Sequence, residues 1–364
     1  MTDKKLTVLG GIAVLMVILA VITSNVPEKK GSDAEGPTYL IQGVNPDGIA
    51  SIEVSSGDDT VTLKRKSDRF VVGQMSNYPA LASKINTLIN EVLDIRTIEM
   101  FTENASNHAD LGVTEESAAY VVKFFNPDGK DITGVVVGRN KEKGQGLFVR
   151  LVSEDRVYVT LNRLNLSIKP IGYVDQSLIS VSAAEIEWVK SSGDGEKYGL
   201  KKDDDGNIVL NIMPETKKLK TDGASKVFNA LTSLQFDDAV KAGAKNLTFD
   251  KKYICRLKDS TQYTLEIAKD EDKTFVKCIA EFTDKSKITV QRGGDESEEE
   301  LKAKEDKLLA RDAAEKFTKT HAGWVYEIPG QIAENLTKPA IDLYEDLTKE
   351  DAPAAEERIG PTVE

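Results

Sequence analysis

The sequence predicts an α+β protein: an N-terminal transmembrane helix followed by two tandem related domains of mainly antiparallel sheet, each with one packed helix. Three observations carry that reading. From Leu6 to Pro27 the chain holds 22 consecutive uncharged residues, headed by the apolar run LTVLGGIAVLMVILAVIT. Beyond them, strand-like runs far outnumber helical ones, and the links between them suit hairpins better than parallel crossovers. The order of those runs is the same in both halves of the chain.

The apolar segment comes first. At ~1.5 Å of rise per residue a helix of this length reaches about 33 Å, enough to cross a hydrocarbon layer of roughly 30 Å. A cleaved signal peptide has an apolar stretch of about 7–15 residues and a small-x-small cleavage site. Here the stretch is longer and closes in Val21-Ile22-Thr23-Ser24-Asn25, where Ile22 and Ser24 make a poor cleavage pair. Residues 1–27 therefore read as a short cytoplasmic flank and an uncleaved anchor. Lys4 and Lys5 on one side nearly balance Lys29 and Lys30 on the other, so orientation rests on the habit of short N-terminal tails staying inside. The bulk of the chain is then expected outside an inner membrane, in the periplasm. Residues 28–40 form a tether, and the polar stretch 24–37, SNVPEKKGSDAEGP, keeps the first domain within ~50 Å of the bilayer even if fully extended.

The first domain, residues 41–180, opens with alternating strands at 49–54, 60–65 and 69–72. A helix is predicted over 80–93, with Leu81, Ile85, Leu88, Ile89 and Val92 on one stripe and Pro79 suited to its first turn. Strands resume at 119–125, 132–137, 147–152 and 157–161. The second domain, residues 181–348, repeats the order: strands at 186–189, 197–201 and 208–211 with a turn at Asp205-Gly206, then a helix through Ser225-Lys226-Val227 and Ala230, Leu231 and Leu234. Strands follow at 253–257, 263–267, 275–282 and 324–328. The ends agree most closely, with Asn165-Leu166-Ser167-Ile168-Lys169-Pro170 and Tyr173 answered by Asn335-Leu336-Thr337-Lys338-Pro339 and Tyr344.

One difference separates the halves. The second domain carries a charged insertion, residues 283–323, where the first has only Ser153-Glu154-Asp155-Arg156. Its stretch 295–319 is a predicted solvated helix, with Glu298 and Lys302, and Asp312 and Lys316, at i,i+4 spacing. It reads either as a surface excursion on its own domain or as an arm that touches a partner. The tail, residues 349–364, reads as disordered.

Composition narrows the function. A formal charge of -12 and a pI near 5.0 argue against a nucleic-acid surface, which needs clustered Lys and Arg. The two histidines, His108 and His321, sit in no catalytic motif, and no G-x-S-x-G elbow occurs; Ser191-Ser192-Gly193 reads as part of a hairpin. Two separated cysteines and two separated histidines cannot make a usual zinc set. Cys255 and Cys278 fall on inward-facing positions of neighbouring strands, as buried small hydrophobes or as a disulfide pair. Asp203-Asp204-Asp205-Gly206-Asn207 has the first oxygens of a calcium loop, but Ile208 and Pro214 stand where glycine and glutamate are required, so a hairpin turn explains it better. Gly138 through Gly144 and Gly146 lie between strands and shape a hairpin, not a phosphate cradle. No catalytic, cofactor-binding or metal-ligating residue is assigned, and no cofactor is expected.

The order of features resembles a known family. Gly43-Val44-Asn45-Pro46-Asp47-Gly48-Ile49 is followed by Tyr78-Pro79-Ala80, then by the stretch 104–112 ending in a Leu-Gly turn, then by Val137-Gly138, Gly146-Leu147-Phe148-Val149-Arg150 and Val157-Tyr158. In this order they are similar to the bacterial domain of unknown function 4340, over residues 40–350. His108 with Ala109 replaces an expected aromatic, and the charged insertion departs from the pattern. The resemblance implies an envelope protein found beside gliding-motility-type ABC-transporter components, and it brings no catalytic residues. The leading expectation is a single-pass, extracytoplasmic accessory protein that binds a transporter-like membrane complex and is not an enzyme. A ligand-binding module holding a sugar, lipid or peptide in the interdomain cleft is the first rival, and a carboxylate-based hydrolase the second.

Overall fold

The computed structural model describes residues 37–141, 145–286 and 297–347; the apolar segment 6–27, most of the tether and the tail 349–364 lie outside the described residues. The first half supplies ten strands: β1 (Thr38–Tyr39), β2 (Ser51–Ser56), β3 (Asp59–Lys66), β4 (Arg69–Val72), β5 (Tyr78–Pro79), β6 (Arg96–Thr102), β7 (Tyr120–Phe125), β8 (Asp131–Asn140), β9 (Leu147–Leu151) and β10 (Val157–Thr160). They form one sheet in the order β1-β6-β10-β9-β8-β7-β2-β3-β4-β5, antiparallel at every pairing.

The second half adds β11 (Ser177–Ile179), β12 (Ile186–Gly193), β13 (Glu196–Lys202), β14 (Ile208–Leu210), β15 (Lys217–Leu219), β16 (Leu234–Gln235), β17 (Asp238–Lys241), β18 (Lys251–Leu257), β19 (Thr261–Asp270), β20 (Lys273–Phe282), β21 (Trp324–Ile328) and β22 (Tyr344–Asp346). A second sheet runs β14-β13-β12-β18-β19-β20-β21-β17, while β11 with β16 and β15 with β22 make two-stranded ribbons. Its order repeats the stretch β4-β3-β2-β7-β8-β9-β10-β6 of the first sheet strand for strand. The alternation of the sequence specifies most of this arrangement, because strands such as β2, β3, β18 and β19 have one face to bury.

Among the described residues five α-helices accompany the strands: α1 (Ala82–Leu93), α2 (His108–Leu111), α3 (Thr221–Phe228), α4 (Glu298–His321) and α5 (Gly330–Thr337). In α1, Ile85, Leu88, Ile89 and Val92 are buried, each stabilising by about 1.5–3 kcal/mol relative to exposure. Leu81 is the exposed N-cap and Pro79 lies in β5, not in the helix's first turn. Helix α3 is shorter than its apolar spacing predicts. Asn229 caps it by donating its backbone N–H to Ser225 and Val227, and Ala230, Leu231 and Leu234 are buried beyond it. Burial of a packed turn mimics helical periodicity there.

Each half is closed by the same hydrogen bond. Leu81 N–H donates to the Tyr173 carbonyl at 2.8 Å, and Lys220 N–H donates to the Leu343 carbonyl at 2.8 Å. Leu81 and Lys220 are the N-caps of α1 and α3, so Leu343, not Tyr344, is the counterpart of Tyr173. Tyr344 instead opens β22.

The two cysteines are free and buried. Cys255 pairs with Tyr263 and Cys278 with Leu265, both across β19. A whole strand therefore separates them, about 10 Å at two interstrand spacings, which is beyond disulfide reach.

Candidate functional site

The residues singled out for chemistry fall to structural duties. His108 is buried and its Nε2 lies 2.9 Å from the Asp155 carbonyl, tying α2 to the turn before β10. Gly112 caps α2 in the left-handed region at φ 65°, and Gly138 leaves room for that turn: a Cβ there would stand 2.5 Å from Val113 Cγ1 and 2.6 Å from the Leu111 carbonyl. The Asp203 to Asn207 run is a hairpin turn, with Asp203 N–H donating to the Asn207 carbonyl at 2.9 Å and Asn207 N–H returning to Asp203 Oδ1 at 2.8 Å. Ser191 lies within β12, buried beside Tyr198. Burial raises the Tyr198 phenol to about 12, so it stays protonated and donates to the Lys338 carbonyl at 2.7 Å. Among the described residues no group of three or more His, Cys, Asp or Glu is placed to hold a metal ion.

Arg150 is the buried cation of the first half. Its Nε donates to the Val113 carbonyl at 2.7 Å, and its Nη1 to the carbonyls of Leu151, Val152 and Glu154 at 3.0, 3.2 and 3.3 Å. A guanidinium presents a fork of donors, so one side chain gathers several carbonyls of the β9–β10 turn and the α2 turn.

Where the two sheets meet, Tyr78 of β5 packs edge-on against Phe236 at 5.5 Å, Trp324 at 4.7 Å and Tyr326 at 6.1 Å between ring centroids. All four are buried. A polar chain runs through the cluster: Tyr78 hydrogen-bonds Tyr326, and Tyr326 Oη lies 2.7 Å from His321 Nδ1. Burial holds the Tyr326 phenol far above its ordinary range and pushes the His321 imidazole below its own. His321 is then neutral, and its Nδ1 shares a hydrogen bond with Tyr326 Oη, so the last residue of α4 is bonded to the seam between the sheets.

Helix α4 departs from the rest of the body. Its N-terminus carries a capping box, Ser297 with Glu300, and its C-terminal half docks on β20, with Ala310 and Ala314 buried. Thr318 Oγ1 accepts from the Ala280 N–H at 2.8 Å and donates to the Ala280 carbonyl at 2.7 Å. That contact covers β20 where β21 no longer pairs with it, since their register ends at Val276 opposite Tyr326. The N-terminal half buries no residue, and Leu301, Leu308 and Leu309 are exposed. Leu301 and Leu308 are two turns apart and share a face. A second apolar group, Ile212, Met213, Ile341 and Leu347, is exposed around the β15–β22 ribbon, where Leu347 N–H donates to the Thr216 carbonyl at 3.0 Å. Both are groups of large apolar side chains left exposed to solvent among the described residues. Sequence reasoning marked the arm but missed the ribbon, because its short strands carry too little periodicity to register.

Fold and surfaces together define a tandem α+β protein of two matching antiparallel sheets joined by an aromatic seam. The chain belongs to the family described as Domain of unknown function (DUF4340), whose sequence profile matches residues 71–255, from the first sheet into β18 of the second. No curated protein and no solved structure matches this chain.

Proposed function

We propose that this chain is a single-pass, membrane-anchored accessory protein whose body lies outside the cytoplasmic membrane and serves as an auxiliary component of a membrane complex of the ABC-transporter type. The apolar run of residues 6–27 supports the anchor. The observation that carries the accessory role is α4, a 24-residue helix whose buried residues, Ala310 and Ala314, lie in its C-terminal half, with three exposed leucines in the N-terminal half. An apolar stripe on a charged helix fits the groove of a partner helix or subunit. Lys307 bonds to Asp284 at 2.8 Å and ties the helix to the end of the segment after β20.

Affinity purification of the full chain in mild detergent tests this reading. Transporter-like membrane subunits are expected to co-purify in fixed proportion through gel filtration, and to be lost from a Leu301→Asp, Leu308→Asp variant that keeps its fold. A clean monomer in several detergents would contradict it.

A further inference from the structure

The sheet edge from which the chain departs toward its N-terminus is itself apolar. Strand β1 pairs with β6 only at Thr38 opposite Thr97 and Tyr39 opposite Arg96, so beyond Thr97 the outer edge of β6 has no strand partner among the described residues. Along that edge Ile98, Met100 and Phe101 are exposed, Met100 to 53%, and Leu161 at the end of β10 is exposed beside them. Natural edges are usually blunted with charge or covered; this one carries Arg96 and Glu99 but keeps three large apolar side chains exposed between and beyond them. Two bulges against β10, at Ile98 and Phe101, turn side chains of successive residues outward. Cations frame the strip: Arg96 stacks on Tyr39 at 4.8 Å and bonds its hydroxyl at 2.8 Å, and Lys141 lies 6.0 Å over the Phe101 ring while pairing with Glu99. Arg163 is exposed beside Lys141 and Leu161.

We propose that the β6 edge rests on the lipid surface at headgroup depth. The inference deepens the anchored reading above and rests on it. The chain that leads from the apolar segment reaches the body at this edge: residues 28–37 span at most about 36 Å, and they arrive at β1, which is seated on β6 itself. Apolar and aromatic side chains flanked by Arg and Lys match the boundary between headgroups and acyl chains. The unpaired N–H and C=O groups of the edge limit the depth, because hydrocarbon would leave them unsatisfied whereas hydrated headgroups do not. The chain's net charge of -12 opposes an anionic surface, so Arg96, Lys141 and Arg163 select which side of the body faces it.

The test uses the full chain in phosphatidylcholine–phosphatidylglycerol nanodiscs, with Met100→Cys carrying an environment-sensitive fluorophore; Cys255 and Cys278 are buried and stay unlabelled. Emission is expected to shift to the blue and to be quenched by doxyl lipids, whereas the same label at Ile212→Cys, a site 77% exposed in the second half, is quenched only from water. Leu161→Cys repeats the measurement should the first variant misfold. If the chain inserts but the labels at 100 and 161 behave like the label at 212, the inference falls while the anchor stands. Labels shielded from both quenchers would mean that a protein strand covers the edge, which also overturns it. A chain that fails to stay with lipid removes the anchored reading and this inference together.

Discussion

Tyr326 and His321 share a hydrogen bond at the seam between the sheets, and the sign of its pH dependence follows from the burial of the imidazole. Burial lowers the His321 pKa from its ordinary 6.5, so the unfolded chain takes up a proton before the folded one does. The stability contributed by the neutral imidazole is complete above about pH 6.5 and is lost as pH falls through the depressed folded value. Denaturant unfolding between pH 7.5 and pH 5 is expected to show falling stability, and His321→Asn, which keeps an acceptor near Nδ1, to flatten that fall; equal slopes in both proteins would contradict the assignment. At the same scale, burial raises both thiols to about 12, so neither ionises near neutrality. A thiol reagent should find none in the native protein and two after denaturation without reductant. Two thiols read at once in the native state would be inconsistent with this packing. The inward alternation of Cys255 and Cys278 was legible in the sequence, but their separation was not. Only the pairing of both strands with β19 places them too far apart to bridge.

Among the elements, strands with one buried face were readable because apolar and polar residues alternate along them. β4 and β21 fall where the pattern places them, and the second sheet's order matches the first. What the pattern missed is instructive. β6 exposes both faces along most of its length, so it has no alternation to read, and it is the edge proposed to meet lipid. Helix α3 was overread because a buried turn follows it. For α4, charge and i,i+4 pairs marked a helix, but nothing in the sequence indicated that Thr318 caps the open edge of β20. Thr318→Val keeps the shape and removes both hydrogen bonds to Ala280, leaving a backbone donor and acceptor without protein partners. A loss of about 1–3 kcal/mol is expected, together with faster amide exchange at Ala280 than at Cys278. An unchanged exchange rate would show that the helix does not protect the edge.

For the whole molecule, a chain of two matching sheets is held as one body by Tyr78, Phe236, Trp324 and Tyr326. The seam joins residues far apart in sequence, so no local pattern could have announced it, although Tyr78-Pro79 was already part of the family resemblance. The central claim is that this body is held outside a membrane by residues 6–27. Protease added to spheroplasts expressing the full chain, followed by alkaline washing of the membranes, tests it most directly. The body is expected to be digested while a cytoplasmic marker survives, and undigested full-length chain to stay in the alkali-washed pellet. A body protected until the cells are lysed, or a chain released by alkali, would contradict it.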